Sequence, residues 1–215
     1  VSSYFRGAQA DVEAVRGLAP LPATEIELKR LAAALKTGES AIALGPAATE
    51  TAVKRADLSR ARVLAFATHG LVTGELAGLA EPALVFTPPA EPSDLDDGLL
   101  TASEAAELKL SADWVVLSAC NTAAGDGSPG AEGLSGLARA FLYAGARAIL
   151  VSHWPVGDEA AAEITTRTFA TLAATPEIGR AEALRRALGA MIDRHDRGFV
   201  HPSMWAPFVV VGDGR

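Results

Sequence analysis

Short, fully apolar runs alternate with longer amphipathic stretches along most of this chain. The apolar runs predict strands over residues 41–44, 62–67, 82–87, 114–119, 148–152 and 205–211. The amphipathic stretches predict helices over residues 24–36, 49–56, 102–108, 134–143, 159–173 and 180–194. Such alternation is typical of a mainly parallel sheet with helices on both faces. We therefore predict an α/β fold, a three-layer α/β/α sandwich.

Threonine–glutamate pairs mark the starts of two of the predicted helices. Thr24 precedes Glu27 by three residues, and Thr101 precedes Glu104 by the same interval. In a capping box the threonine side chain accepts a bond from the third helical N–H, and the glutamate accepts one from the threonine N–H. We therefore predict helices that begin just after Thr24 and Thr101.

Length and composition limit the class of protein. The chain has 215 residues, 49% of them hydrophobic, and a formal net charge of -7, as expected for a soluble globular protein. Residues 1–22 are weakly patterned and end in a proline-rich stretch, so we predict a linker or N-terminal extension there and one domain over 23–215. There is no basic footprint for nucleic acid, and no apolar run reaches the roughly 18 residues of a transmembrane helix. We expect a cytoplasmic protein with no nucleic-acid or membrane partner.

Two reactive side chains follow predicted strands. His69, with Gly70 directly after it, follows the strand at 62–67, and Cys120, the single cysteine, follows the strand at 114–119. Chemistry in open α/β sheets gathers beyond the carboxyl ends of strands, where a thiol and an imidazole can form a nucleophile–base pair. The backbone N–H groups of Gly70 and Cys120 then suit an oxyanion hole. For either residue alone a structural role is the alternative, because free cysteines are usually buried.

Other motifs do not support different chemistry. The stretch Gly133-Leu134-Ser135-Gly136 is followed by Leu137, where a nucleophile elbow requires glycine. The glycine-rich residues 125–130 lack the Lys-Ser/Thr pair of a phosphate-binding loop. The four histidines and the cysteine do not have the spacing of a structural zinc site. We therefore predict neither a metal nor a cofactor.

The blocks around His69 and Cys120 resemble those of a known family. They occur in the family's order from about Leu21 to Gly214, over residues 64–70, 97–104, 116–122, 133–146, 154–156 and 201–213. By these blocks the chain resembles a CHAT domain, a caspase-like peptidase domain often found behind tetratricopeptide repeats, with separases and caspases as more distant relatives. The separation 120 − 69 = 51 is similar to the spacing of the caspase pair.

The resemblance implies a caspase-like fold and a cysteine endopeptidase acting on a protein or peptide substrate. It carries over Cys120 as the nucleophile and His69 as general base and acid, and it implies an upstream repeat region or partner that regulates the site. His153 departs from the family pattern and adds a second imidazole near the same edge. His69 is favoured because its glycine neighbour also supplies an oxyanion donor. A small-molecule hydrolase fits the nucleophile but not the matched blocks.

The similarity to separase-like peptidases implies an acidic first specificity pocket and cleavage after a basic residue. Asp158, beyond the strand at 148–152, is the main candidate, with helix N-capping as its structural alternative. Asp126, in the loop after Cys120, is a lesser candidate, and Trp154 is the tryptophan expected to touch substrate. A carboxylate there would bind arginine through charge-assisted hydrogen bonds. The alternative function is a non-catalytic protein-interaction module of the same fold.

Overall fold

A four-stranded sheet forms the centre of the computed structural model, which describes residues 11–118, 136–154, 156–193 and 200–215. In spatial order its strands are β1 (Val63–Phe66), β5 (Trp114–Leu117), β6 (Ala148–Ser152) and β7 (Phe208–Gly212). The first three are parallel, and β7 runs antiparallel to β6. The predicted α/β fold with a mainly parallel central sheet is confirmed.

A second, antiparallel sheet lies between β1 and β5 in the chain. Its three strands, in order, are β2 (Gly70–Leu71), β3 (Ala83–Val85) and β4 (Leu99–Thr101). We call it the small sheet. The sequence predicts β3, which lies within the apolar run 82–87, but neither of its neighbours, which lie in no apolar run of that length.

Helices cover the two faces of the central sheet. They are α1 (Val12–Arg16), α2 (Pro22–Ala34), α3 (Glu50–Arg55), α4 (Ala102–Glu107), α5 (Gly136–Tyr143), α6 (Asp158–Ala174), α7 (Arg180–Ile192) and α8 (Pro202–Trp205). Helix α1 lies inside the segment that the sequence predicts as a linker or extension. In the described part of the chain, no helix combines the length and the apolar character that crossing a bilayer requires.

The core is divided by the central sheet into two layers. Val115 and Leu117 of β5 belong to one layer, where they pack with residues of α4 and α5 that include Phe141. Trp114 and Val116 belong to the other layer, with residues of α2, α6 and α7. All four β5 side chains are buried. The layers follow from the strand, since successive side chains point to opposite faces.

Two of the predicted strands are wrong in position. Residues 41–44 form no strand, and the chain makes a short 3-10 turn over Glu39–Ala41 instead. Trp205 is predicted to open the last strand but ends α8, and β7 begins at Phe208. Pro202 starts that helix, and the imidazole of His201 caps it by accepting the Ser203 N–H. Proline at the first helical position explains why a helical turn replaces the expected extended chain.

One of the two predicted capping boxes is present. Thr101 and Glu104 form it at the start of α4. The other is wrong: α2 begins at Pro22, so Thr24 lies inside its first turn and its hydroxyl donates to the Leu21 carbonyl at 2.7 Å. Glu27 is therefore not needed as a capping residue, and its side chain is buried.

Candidate active site

The ends of β1 and β5 lie side by side at the carboxyl edge of the central sheet. Phe66 pairs with Leu117, and the Ser118 N–H donates to the Phe66 carbonyl at 3.0 Å. His69 is the third residue after Phe66, and Cys120 is the third after Leu117. Cys120 lies outside the described residues, so the structure describes the histidine half of the pair and the cysteine strand as far as Ser118.

His69 is bonded to the segment that joins α1 to α2. Its Nε2 lies 2.6 Å from the backbone carbonyl oxygen of Ala19. Because a carbonyl oxygen only accepts hydrogen bonds, Nε2 must carry the hydrogen in this contact. In the neutral ring Nδ1 then keeps its lone pair. Ala19 thus selects the tautomer of His69 in which Nδ1 is the basic nitrogen.

The backbone on both sides of His69 joins the small sheet. The Val85 N–H donates to the His69 carbonyl at 2.9 Å, and the Thr68 hydroxyl donates to the Val85 carbonyl. Gly70 pairs with Leu84 at the next position of the register. Hydrogen-bonded and non-hydrogen-bonded pairs alternate in an antiparallel ladder, so the Gly70 N–H points away from β3. This N–H therefore makes no hydrogen bond within the β2–β3 ladder.

A buried glutamate of α2 reaches the end of β5. Glu27 is 2% exposed, and its Oε2 accepts a hydrogen bond from the Ser118 hydroxyl at 3.0 Å. Ser118 stands two residues before Cys120. A buried carboxylate is costly unless it is hydrogen-bonded, so this contact fixes α2 to the strand end.

Sequence reasoning missed both contributions of this N-terminal segment. Ala19 acts through its backbone carbonyl, for which no side chain gives a signal. Glu27 was assigned to a capping box, although it stands four residues before the buried Leu31 and so shares its helix face. That spacing was the available sign that Glu27 faces the interior.

The candidate substrate-contacting residues follow β6, the other neighbour of β5. Trp154 is 40% exposed, and its indole N–H donates to the Ser203 carbonyl at 3.0 Å. Asp158 is the first residue of α6, and Gly157 is the N-cap, so the N-capping role considered for Asp158 is wrong. Asp126 lies outside the described residues.

His153, the second imidazole of this edge, also follows β6. It is exposed, and its backbone N–H donates to the Pro207 carbonyl at 3.1 Å. His69 and His153 therefore follow the two strands that flank β5. Sequence position at the carboxyl edge does not distinguish them, whereas the contact of His69 with Ala19 does.

Charged side chains hold the chain just before β4. Glu50 is 1% exposed and accepts the N–H groups of Asp97 at 2.8 Å and Gly98 at 3.1 Å. Lys54 bridges Glu50 and Glu104. Burial raises the pKa of Glu50 to about 7, against the hydrogen bond from Lys54. Burial opposes the charge on Lys54, but hydrogen bonds to the two glutamates prevail and raise its pKa.

The fold defines the class to which this site belongs. A mainly parallel sheet covered on both faces, with a histidine beyond its edge strand β1, agrees with the caspase-like α/β/α fold. The family model described as "CHAT domain" matches residues 6–213, and the chain belongs to this family.

The chain is also similar to part of much longer proteins. It is 38% identical to Tetratricopeptide repeat protein 28 of Mus musculus over 119 residues, which are 53% of this chain and 4% of that protein. It is 33% identical to Tetratricopeptide repeat protein 28 of Homo sapiens over 118 residues, 55% of this chain and 4% of that protein. The chain thus spans only a small part of the length of these curated relatives.

Proposed function

We propose that this CHAT domain is a cysteine endopeptidase in which Cys120 is the nucleophile and His69 is the general base. The observation that carries the proposal is the contact of His69 Nε2 with the Ala19 carbonyl. It orients an imidazole beside the end of β5 and leaves Nδ1 as its basic nitrogen. A base oriented by a third group is the arrangement that nucleophilic catalysis requires.

Acylation follows from these roles. Nδ1 of His69 takes the proton of the Cys120 thiol, and the thiolate sulfur forms a bond to the substrate carbonyl carbon. The imidazolium then gives its proton to the amide nitrogen as the C–N bond breaks. The amine fragment leaves, and the acyl fragment remains as a thioester. The Ala19 carbonyl stabilises the imidazolium through its Nε2–H, as a triad's third member does.

Deacylation reverses the roles. His69 takes a proton from water, whose oxygen attacks the thioester carbon. The imidazolium returns that proton to the sulfur as the C–S bond breaks, which restores the thiol and releases the acyl fragment as a carboxylic acid. In both steps the carbonyl oxygen becomes negative, and the N–H groups of Gly70 and Cys120 are the proposed donors to it. The orientation of the Gly70 N–H away from β3 supports this role. Loss of one such donor costs about 2.7–4 kcal/mol of transition-state stabilisation.

We further propose that cleavage follows a basic residue, which Asp158, Trp154 and Asp126 would contact. The exposure of Trp154 and the start of α6 at Asp158 support this, since both follow a strand that neighbours β5. Substrates are proteins or peptides, and no cofactor is required by this chemistry. The names of the matched relatives support an upstream tetratricopeptide repeat region as regulator. The cytoplasm is the proposed location.

The test compares single variants of the intact chain against a peptide library and an electrophilic peptide probe. We expect Cys120→Ala and His69→Ala to abolish cleavage, because each removes one half of the acyl-transfer machinery. The matched control is His153→Ala, which removes an imidazole that follows the other neighbour of β5 and should keep cleavage. Mass spectrometry should find the probe on Cys120 in the wild type and not in His69→Ala.

Two results decide against these proposals. Proteolysis that persists in Cys120→Ala or His69→Ala contradicts the assignment of the pair. If the probe labels Cys120 equally in the wild type and in His69→Ala, the non-catalytic interaction module is favoured. The specificity proposal fails if the library shows an apolar preference before the cleaved bond that Asp158→Asn leaves unchanged.

A further inference from the structure

We propose that Arg16 is a positioning residue for His69 and that it acts through α1 and the Ala19 carbonyl. The inference deepens the proposed function and rests on it for the effect on turnover. Its effect on the imidazole of His69 is independent of any catalytic activity.

Helix α1 is docked on the small sheet next to His69. Val15 is 4% exposed and packs in one cluster with side chains of the small sheet and the loop inside it: Leu71, Leu79, Ala83, Val85 and Leu99. Strand β2 starts at Gly70, directly after His69. The helix and the histidine are therefore attached to the same sheet.

Arg16 adds a polar tie between α1 and the segment that follows β3. Its guanidinium donates to the backbone carbonyls of Pro89 and Ala90, which follow β3, with 3.3 Å to the Ala90 oxygen. Glu13, one turn earlier in α1, binds the same side chain. Asp11 caps the helix by accepting the N–H groups of Glu13 and Ala14. Nη1 of the guanidinium binds Glu13, and Nη2 donates to both carbonyls, so one rigid plane ties α1 to the segment after β3. A single ammonium has no such fork of two nitrogens.

The distance along the chain from Arg16 to the Ala19 carbonyl is short. With about 3.8 Å between neighbouring Cα atoms, three residues limit how far the Ala19 carbonyl can move relative to α1. Leu18, within that span, packs against the same cluster as Val15. A change in the orientation of α1 therefore moves the Ala19 oxygen relative to His69 Nε2. Without that acceptor, no other contact among the described residues selects the Nε2–H tautomer, and Nδ1 is no longer reserved as the base.

The experiment compares Arg16→Ala with a matched control, Arg185→Ala. Each change removes an arginine that is bound to a glutamate three residues earlier, Glu13 in α1 and Glu182 in α7. Arg16 is 38% exposed, so its removal leaves no buried cavity. The readout is the pair of ring ¹⁵N chemical shifts of His69, recorded by NMR with a neutral ring, because these shifts report which nitrogen carries the proton.

We expect one protonated Nε2 and one unprotonated Nδ1 in the wild type and in Arg185→Ala. In Arg16→Ala the two shifts should approach each other as both tautomers become populated. The ring shifts of Arg16→Lys should lie between those of the wild type and Arg16→Ala, because an ammonium keeps the charge but lacks the two nitrogens of the guanidinium. Ring shifts in Arg16→Ala that coincide with those of the wild type overturn the inference.

Kinetics of peptide cleavage test the effect on turnover. We expect kcat of Arg16→Ala to fall about tenfold with KM within about twofold, since a misplaced base affects chemistry more than binding. An unchanged kcat in a variant with altered ring shifts overturns the positioning role. If the wild type itself cleaves no peptide, the proposed function fails, while the ring shifts still decide whether Arg16 controls the imidazole.

Discussion

The two sheets of this domain are held together by different forces. The central sheet is held by apolar side chains on both faces, and each of the four β5 residues is buried. The small sheet also has a cluster of apolar residues, but polar side chains bind its backbone and the chain just before it. Thr68 binds Val85 of β3, and Glu50 binds Asp97 and Gly98 before β4. The central sheet brings the two strand ends together, and the small sheet with α1 holds His69. Stability and alignment are thus assigned to different parts of the fold.

The largest expected effect concerns the central sheet. Leu150 of β6 is 1% exposed, and Leu150→Ala should lower the free energy of unfolding by about 2–5 kcal/mol, because it removes buried methyl groups and leaves a cavity. Denaturant unfolding at pH 5 and pH 8 should give the same loss, since no titratable group is involved. The control is Ile192→Ala at an exposed position, expected within about 0.5 kcal/mol of the wild type. A loss that depends on pH would contradict the apolar character of this sheet.

An intermediate effect concerns Glu50 beside the small sheet. The raised pKa, about 7 against the ordinary 4.5, means that folded Glu50 keeps its proton to higher pH than unfolded Glu50. Between these values the unfolded state binds fewer protons, so stability falls as pH rises, by at most about 1.4 kcal/mol per pH unit. Glu50→Gln should flatten the curve of unfolding free energy against pH in that window.

The matched control for Glu50 is Glu107→Gln, which changes an exposed glutamate of α4. Its pH curve should run parallel to that of the wild type. If the Glu50→Gln curve is also parallel, the polar anchoring of the small sheet does not respond to pH as proposed.

The smallest expected effect concerns the polar contact that reaches the central sheet. Ser118→Ala removes the hydroxyl that donates to the buried side chain of Glu27 and should cost about 1–3 kcal/mol. Thermal unfolding measures this loss, and Ser40→Ala at an exposed position is the control. A stability equal to that of the wild type would show that α2 is fixed to β5 by packing alone.

The difference between the sheets also explains what the sequence could predict. Strands β5 and β6 are continuous apolar runs, and the sequence predicts both to within two residues because burial on both faces demands that pattern. Strands β2 and β4 have no such pattern, and side chains distant in sequence hold the segment before β4. Local pattern carries no information about a glutamate 47 or 48 residues away.

The candidate site also contains residues that the sequence predicts and residues that it does not. His69 and Gly70 were predicted from their place after an apolar run, and the structure puts them at the edge of the central sheet beside the end of β5. The pair with Cys120 stays a prediction, as do Asp126 and the pocket around Asp158. Ala19 was not predicted because its contribution is a backbone carbonyl, and Glu27 was assigned to the wrong partner because a local motif was available. Contacts between residues that are distant in sequence cannot be predicted from the local sequence pattern.

The bonds of the α1–α2 segment have a consequence for the order of folding. Ala19 meets His69 across 50 residues, and Glu27 meets Ser118 across 91. Contacts between such distant residues form late, since each closes a long loop of unfolded chain. A chain still being synthesised can build the helices of its N-terminal part before either contact exists. On the proposed function, His69 is therefore oriented as a base only once this contact with Ala19 has formed, after the N-terminal helices.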